Sequence, residues 1–180
     1  ESGNNKNLRF NHHNTEYKYC DAILLYCMIR HLQPNRIIEI GSGFSSCLIL
    51  DVNELFFNNK IITSFIDPYP QRLISHMKDS DTNRIDILKS RVQDVELEKF
   101  LKLKANDILF IDSSHISKTN SDVNYILFRI LPNIAPGVHI HFHDIFCPFE
   151  YPKHWVYQGR AWNEAYILRA FLAYNNEFRV

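Results

Sequence analysis

An α/β fold, with a doubly wound, mostly parallel sheet flanked by helices on both faces, is what this sequence predicts. Three observations carry the prediction. Short apolar runs alternate with amphipathic segments at a steady spacing along the chain, the pattern of successive β–α–β units. The runs "RIIEI", "IITSFI" and "ILFI" are apolar with little alternation, as strands covered on both faces are. Polar residues gather where those runs end, at Glu39–Gly43, Asp67, Arg91–Asp94, Asp112–His115 and His143–Asp144. In such sheets ligands bind beyond the carboxyl ends of the strands.

Taken in order, residues 1–19 are polar and rich in Asn and His, and read as a loose or docking arm ahead of one domain spanning 20–180. Asp21–Leu32 has helical apolar spacing with Asp21 as N-cap, and Pro34 ends it. Arg36–Ile40 is a strand entering the turn Gly41-Ser42-Gly43, and "SSCLILDVNELFF" is the helix that follows. Lys60–Asp67 is the second strand, Gln71–Lys78 a short helix, Arg84–Leu88 the third strand and Val95–Leu103 a helix. Asp107–Asp112 is the fourth strand and Ser121–Leu131 a helix. Gly137–Ile145 is the fifth strand, Arg160–Tyr174 a helix, and "EFRV" the start of a sixth strand, so the chain is expected to be truncated at its C-terminus.

Composition narrows the function. Lys and Arg total 20 and so do Asp and Glu; the zero net charge argues against a nucleic-acid surface, which needs basic excess or a basic patch. No apolar run approaches the roughly 20 residues of a membrane span. Cys20, Cys27, Cys47 and Cys147 are scattered without a CxxC pair, as reduced thiols of a cytoplasmic protein would be.

Glu39 stands inside an apolar strand, where a carboxylate needs a partner. That partner is either the N–H groups of the glycine-rich turn or a cationic ligand. Gly41 and Gly43 allow the turn and a close approach to the backbone. Ser45 falls where GxGxxG has no glycine and Ser46 replaces its last glycine, which disfavours a pyrophosphate loop. Asp67 ends the next strand 24 residues after Gly43, near the ~20-residue offset at which an acid takes ribose hydroxyls.

The stretches "EIGSGFSS", "FIDPYP", "RVQD", "ILFIDSSH" and "PGVHIHFHDIFCPFEYP" together resemble the ordered motifs of class I S-adenosylmethionine-dependent methyltransferases. The resemblance covers about residues 20–175 and lies closest to the small-molecule O-methyltransferase branch, which includes macrocin-type sugar methyltransferases. It implies a Rossmann-like domain in which Glu39, Gly41, Gly43 and Ser45 hold the amino-acid end of S-adenosylmethionine. Asp67 would bind its ribose, and the loop carrying Gln93 would flank its adenine. It also implies a divalent ion, Mg²⁺ or Mn²⁺, on Asp112 and Asp144, with His143 where a further acid often stands.

The histidine run "HIHFHD" admits three readings. A site using His139, His141 and His143 together is disfavoured, because alternate residues lie ~7 Å apart along a strand and one ion cannot easily reach all three. His139 and His141 read as structural. His143 and Asp144 can converge with Asp112 from the neighbouring strand, as ligands suited to Mg²⁺ or Mn²⁺. His115, three residues after Asp112, is the side chain best suited to take a proton near neutral pH, so His115 and Asp112 are the catalytic candidates. The aromatic segment Tyr151–Trp162 reads equally as an acceptor wall or as a packed connector. An NAD-binding oxidoreductase and a non-catalytic nucleotide-binding domain of a larger assembly stay open. A small-molecule acceptor is the expected partner, with a homo-oligomer left open.

Overall fold

A computed structural model describes residues 7–180. The chain runs α1 (Tyr19–Leu32), β1 (Arg36–Ile40), α2 (Phe44–Phe57), β2 (Ile62–Ile66), α3 (Gln71–Ile74), β3 (Asp86–Leu88), β4 (Ile108–Ile111), α4 (Asp122–Tyr125), β5 (His139–Phe142), α5 (Lys153–Tyr157) and α6 (Glu164–Leu172). The strands form one five-stranded sheet in the order β3-β2-β1-β4-β5. Every pairing is parallel. The order reverses beside β1, which puts the topological switch point at the Gly41–Gly43 turn.

The alternation of side chains along β1 and β4 splits the core in two. Ile37, Phe65, Ile108 and Phe110 pack under α1 and α2 with Leu25, Ile29 and Ile49. Ile38, Ile40, Leu109 and Ile111 face Phe100, Val123, Leu127 and Leu168 on the other side. The unalternating strand sequences follow from this burial on both faces.

Several element ends differ from the sequence reading. Helix α1 starts two residues earlier than expected, at Tyr19. Asp21 lies inside its first turn and accepts the Lys18 N–H, so it is not the N-cap. Val95–Leu103 forms only a 3₁₀ turn, Leu97–Lys102. The helix over Ser121–Leu131 is α4, capped by Ser121, followed by a π turn at Ile126–Ile130. Helix α5 was not foreseen, and α6 is shorter than Arg160–Tyr174. "EFRV" forms no strand; Phe178 packs on Phe171 instead, with ring centres 5.1 Å apart.

The described part of the N-terminal arm is docked. Arg9 is buried and reaches Asp51 (2.8 Å), Glu54 (2.9 Å) and Asp81 (2.5 Å). The Arg9 and Phe10 N–H groups also donate to Asp51. Tyr17 is buried against Phe110 and His143. Among the described residues no helix is long and apolar enough to cross a membrane.

Candidate active site

Sheet register carries the candidate residues to one rim. Ile40 pairs with Ile66 and Ile111, and Ile111 with Phe142. The ladder continues one step further: Gly41 N–H donates to Ile66, Asp67 N–H to Leu88, Asp112 N–H to Ile40 and His143 N–H to Ile111. Gly41, Asp67, Asp112 and His143 are thereby fixed by backbone hydrogen bonds at the carboxyl ends of four neighbouring strands. Gly41 has φ +84°, and a Cβ there would stand 1.9 Å from the Asp112 carbonyl oxygen. Gly43 is extended, with φ 176°, so its conformation does not demand glycine.

Glu39 is fully buried, and it is held by side chains and not by the turn's N–H groups. Ser45 and Ser46 donate their hydroxyls to its two oxygens, each at 2.5 Å, while Ser46 accepts the Gly43 N–H. Ser45, expected at the cofactor, thus directs its hydroxyl to Glu39. Burial pushes the Glu39 carboxyl up to about 8; the two serines oppose this, and the Asp112 and Asp67 charges add to it. Asp67 closes the turn from the next strand, accepting from the Ser42 N–H and hydroxyl at 2.8 Å and from the Tyr69 N–H at 2.7 Å. Gln93 follows β3 on a 3₁₀ turn and donates to the Asn120 carbonyl at 2.8 Å. It therefore bridges two rim loops.

His115 is held between two carboxyl side chains. Its Nε2 lies 3.3 Å from Asp112 and its Nδ1 2.8 Å from Glu164. Glu164 is buried at the start of α6 and also accepts the Ser113 hydroxyl. Burial alone would lower the His115 pKa, but the two carboxylates outweigh it and push it up to about 9. His115 therefore already holds its proton at neutral pH and is not free to accept another, contrary to the sequence expectation. Glu164 was missed: it lies 49 residues from His115, in a stretch that reads as ordinary helix. The one available signal was an acid at the first turn of a helix.

The expected metal site does not form. Among the described residues no three His, Cys, Asp or Glu side chains converge to hold an ion. Asp112 is turned to His115, and His143 Nε2 stands 3.6 Å from Asp144. His143 is instead part of an aromatic stack. Phe110 and His141 lie 4.5 Å apart and 7° from parallel, and the His141 and His143 ring centres are 6.1 Å apart. Burial, then the neighbouring His143, lowers the His141 pKa to about 4, so it packs as a neutral ring. His141 Nε2 is buried without a hydrogen-bond partner among the described residues. Burial raises the Asp144 carboxyl, against the pull of His143. The donors present do not fit a divalent ion, and no step is assigned to one.

Beyond β5, Trp162 lies over His115 with ring centres 4.1 Å apart. Trp155 meets Trp162 at 5.1 Å and 76°, and Tyr151 meets it at 5.9 Å. The aromatic segment is thus both a packed connector and a wall of the rim.

Comparison with known proteins agrees with this geometry. A family model described as "Methyltransferase domain" matches residues 38–145, from β1 through the turn after β5. The chain is also 37% identical over 115 residues to an uncharacterized protein of Archaeoglobus fulgidus, a match covering 60% of this chain and 50% of that protein. The chain spans about half the length of that relative. It belongs to the methyltransferase-domain family.

Proposed function

We propose that this member of the methyltransferase-domain family moves a methyl group from S-adenosylmethionine to a hydroxyl of a small-molecule or sugar acceptor, in the cytoplasm. One observation carries the reading: Asp67 and Asp112 follow the ends of β2 and β4, and the buried Glu39 is the penultimate residue of β1 between them, all around a glycine turn. That excess of carboxylates suits a cationic ligand, and the Asp112 and Asp67 charges that raise the Glu39 pKa would be offset by one. Glu39 and the Gly41–Gly43 turn, framed by Ser45, would hold the amino-acid end of the cofactor. Asp67 would take its ribose, and Gln93 would flank its adenine.

When bound, S-adenosylmethionine supplies an activated methyl on a cationic sulfur, so the protein's main task is alignment. His115, its pKa raised by Asp112 and Glu164, joins these two acidic side chains into one cluster at the rim. His115 anchors Asp112 from within. The half-buried Asp112 carboxylate would receive the proton that leaves the acceptor oxygen as the O–methyl bond forms and the methyl–sulfur bond breaks, with neutral thioether as the leaving group, and would pass the proton to water. Glu164 and Trp162 fix the imidazole that orients it.

Calorimetric titration with S-adenosylmethionine tests the reading. Saturable one-site binding is expected, retained in D112N. A folded protein that binds none of it would refute the proposal.

A further inference from the structure

We propose that Arg160, braced between Trp155 and Trp162, is the anion-recognition residue of the acceptor site, and that the acceptor carries a carboxylate or phosphate besides its reacting hydroxyl. Calling the bound molecule an acceptor rests on the methyltransferase reading above; the anion site itself does not.

The two indoles meet nearly at a right angle and form a corner. The Arg160 guanidinium carbon sits in it, 4.3 Å from the centre of the Trp155 ring and 4.9 Å from that of Trp162. Attraction to both ring faces holds a side chain that would otherwise lose much rotamer freedom on binding. The Arg160 N–H also donates to the Trp155 carbonyl at 3.2 Å, which closes the segment on itself. Arg9, Arg84 and Arg91 each contact an aspartate. Arg160 has no carboxylate partner among the described residues and remains exposed. A guanidinium that is oriented, unpaired and solvent-facing presents its N–H fork to a planar oxyanion at little ordering cost.

Position assigns this cation to the reaction rim. Trp162 contacts Arg160 and His115 alike, so the guanidinium stands one indole away from the His115–Asp112 pair. Asp67, Asp112 and Asp144 give the rim three acidic side chains that suit a cationic cofactor, while Arg72 stands beside the Gly43 turn. Arg160 supplies a cation beside Trp162, the ring that covers His115. Two charges of opposite sign, one per ligand, orient the acceptor relative to the cofactor.

The chain contains only two tryptophans, Trp155 and Trp162, so intrinsic tryptophan fluorescence reports on this corner alone. The test titrates the full chain with 4-hydroxybenzoate, with inorganic phosphate, and with neutral 4-hydroxybenzamide. The proteins compared are the wild type, R160Q and R160K, each checked for fold by circular dichroism. At least one of the two anions should shift the emission saturably, and the amide should not. R160Q should weaken that binding about tenfold or more, the usual loss of a hydrogen bond to a charged group, and R160K by less. Saturation by 4-hydroxybenzoate but not phosphate selects a carboxylate, and the reverse a phosphate. No saturable shift with either anion, or equal affinity in R160Q, overturns the inference. Calorimetry with S-adenosylmethionine on the same samples separates the two claims. Cofactor binding without an Arg160-dependent anion site sinks this inference alone. An anion site without cofactor binding sinks the methyltransferase reading and leaves the anion site standing.

Discussion

Replacing Glu164 by Gln should return His115 to ordinary titration, and the size of the effect follows from the site. Glu164 is a buried carboxylate on His115 Nδ1, and Gln keeps its shape while removing its charge. The rise of the His115 pKa from 6.5 to about 9 corresponds to about 3 kcal/mol in favour of the protonated ring. Because the folded pKa is raised, that stabilisation is complete below about pH 6.5 and is lost as pH climbs through 9. In E164Q burial still opposes the charge and only Asp112 supports it, so the midpoint should fall toward 6.5 and the pH-dependent loss should shrink. NMR titration of the imidazole Cε1–H, assigned with H115N, reads the midpoint directly. Urea unfolding at pH 6.5 and 9 reads the free energy. Glu39, whose raised pKa weakens stability between its ordinary 4.5 and about 8, is common to both proteins and cancels. A midpoint still near 9 in E164Q, with parallel stability curves, would refute the assignment of His115 as an imidazolium held by two carboxylates.

Other outcomes follow from the same geometry. Replacing Arg9 by Met leaves Asp51 and Asp81 without their buried partner and should cost about 3–5 kcal/mol, read by urea unfolding. Gly41→Ala forces a side chain onto the Asp112 carbonyl at positive φ, so melting temperature and cofactor affinity should fall together. D112N should lose turnover while calorimetric affinity for S-adenosylmethionine stays within a few-fold of wild type. Cofactor affinity should tighten as pH rises toward 8, by up to about tenfold per unit, because Glu39 must ionise to meet a cation; E39Q should flatten that dependence.

The architecture was legible because it follows from local chemistry. Unalternating apolar runs such as "RIIEI" require a strand covered on both faces, and glycine at position 41 marks a turn no other residue fits. The rim was legible for the same reason: in a parallel sheet every strand ends on one side, so Glu39, Asp67, Asp112, His115 and Asp144 had to gather there. Pairing between side chains was not legible, because it depends on distances between segments far apart in the chain. Local sequence cannot show that a glutamate 49 residues downstream holds His115 protonated, or that Ser45 and Ser46 turn back onto Glu39. Nor can it show that His141 lies flat on Phe110, or that two tryptophans seven residues apart form a corner around Arg160. Sequence alone determined which residues reach the rim, because strand direction and register carry them there. Only the tertiary structure decided what each does, because charge and protonation depend on the partners and burial that packing supplies.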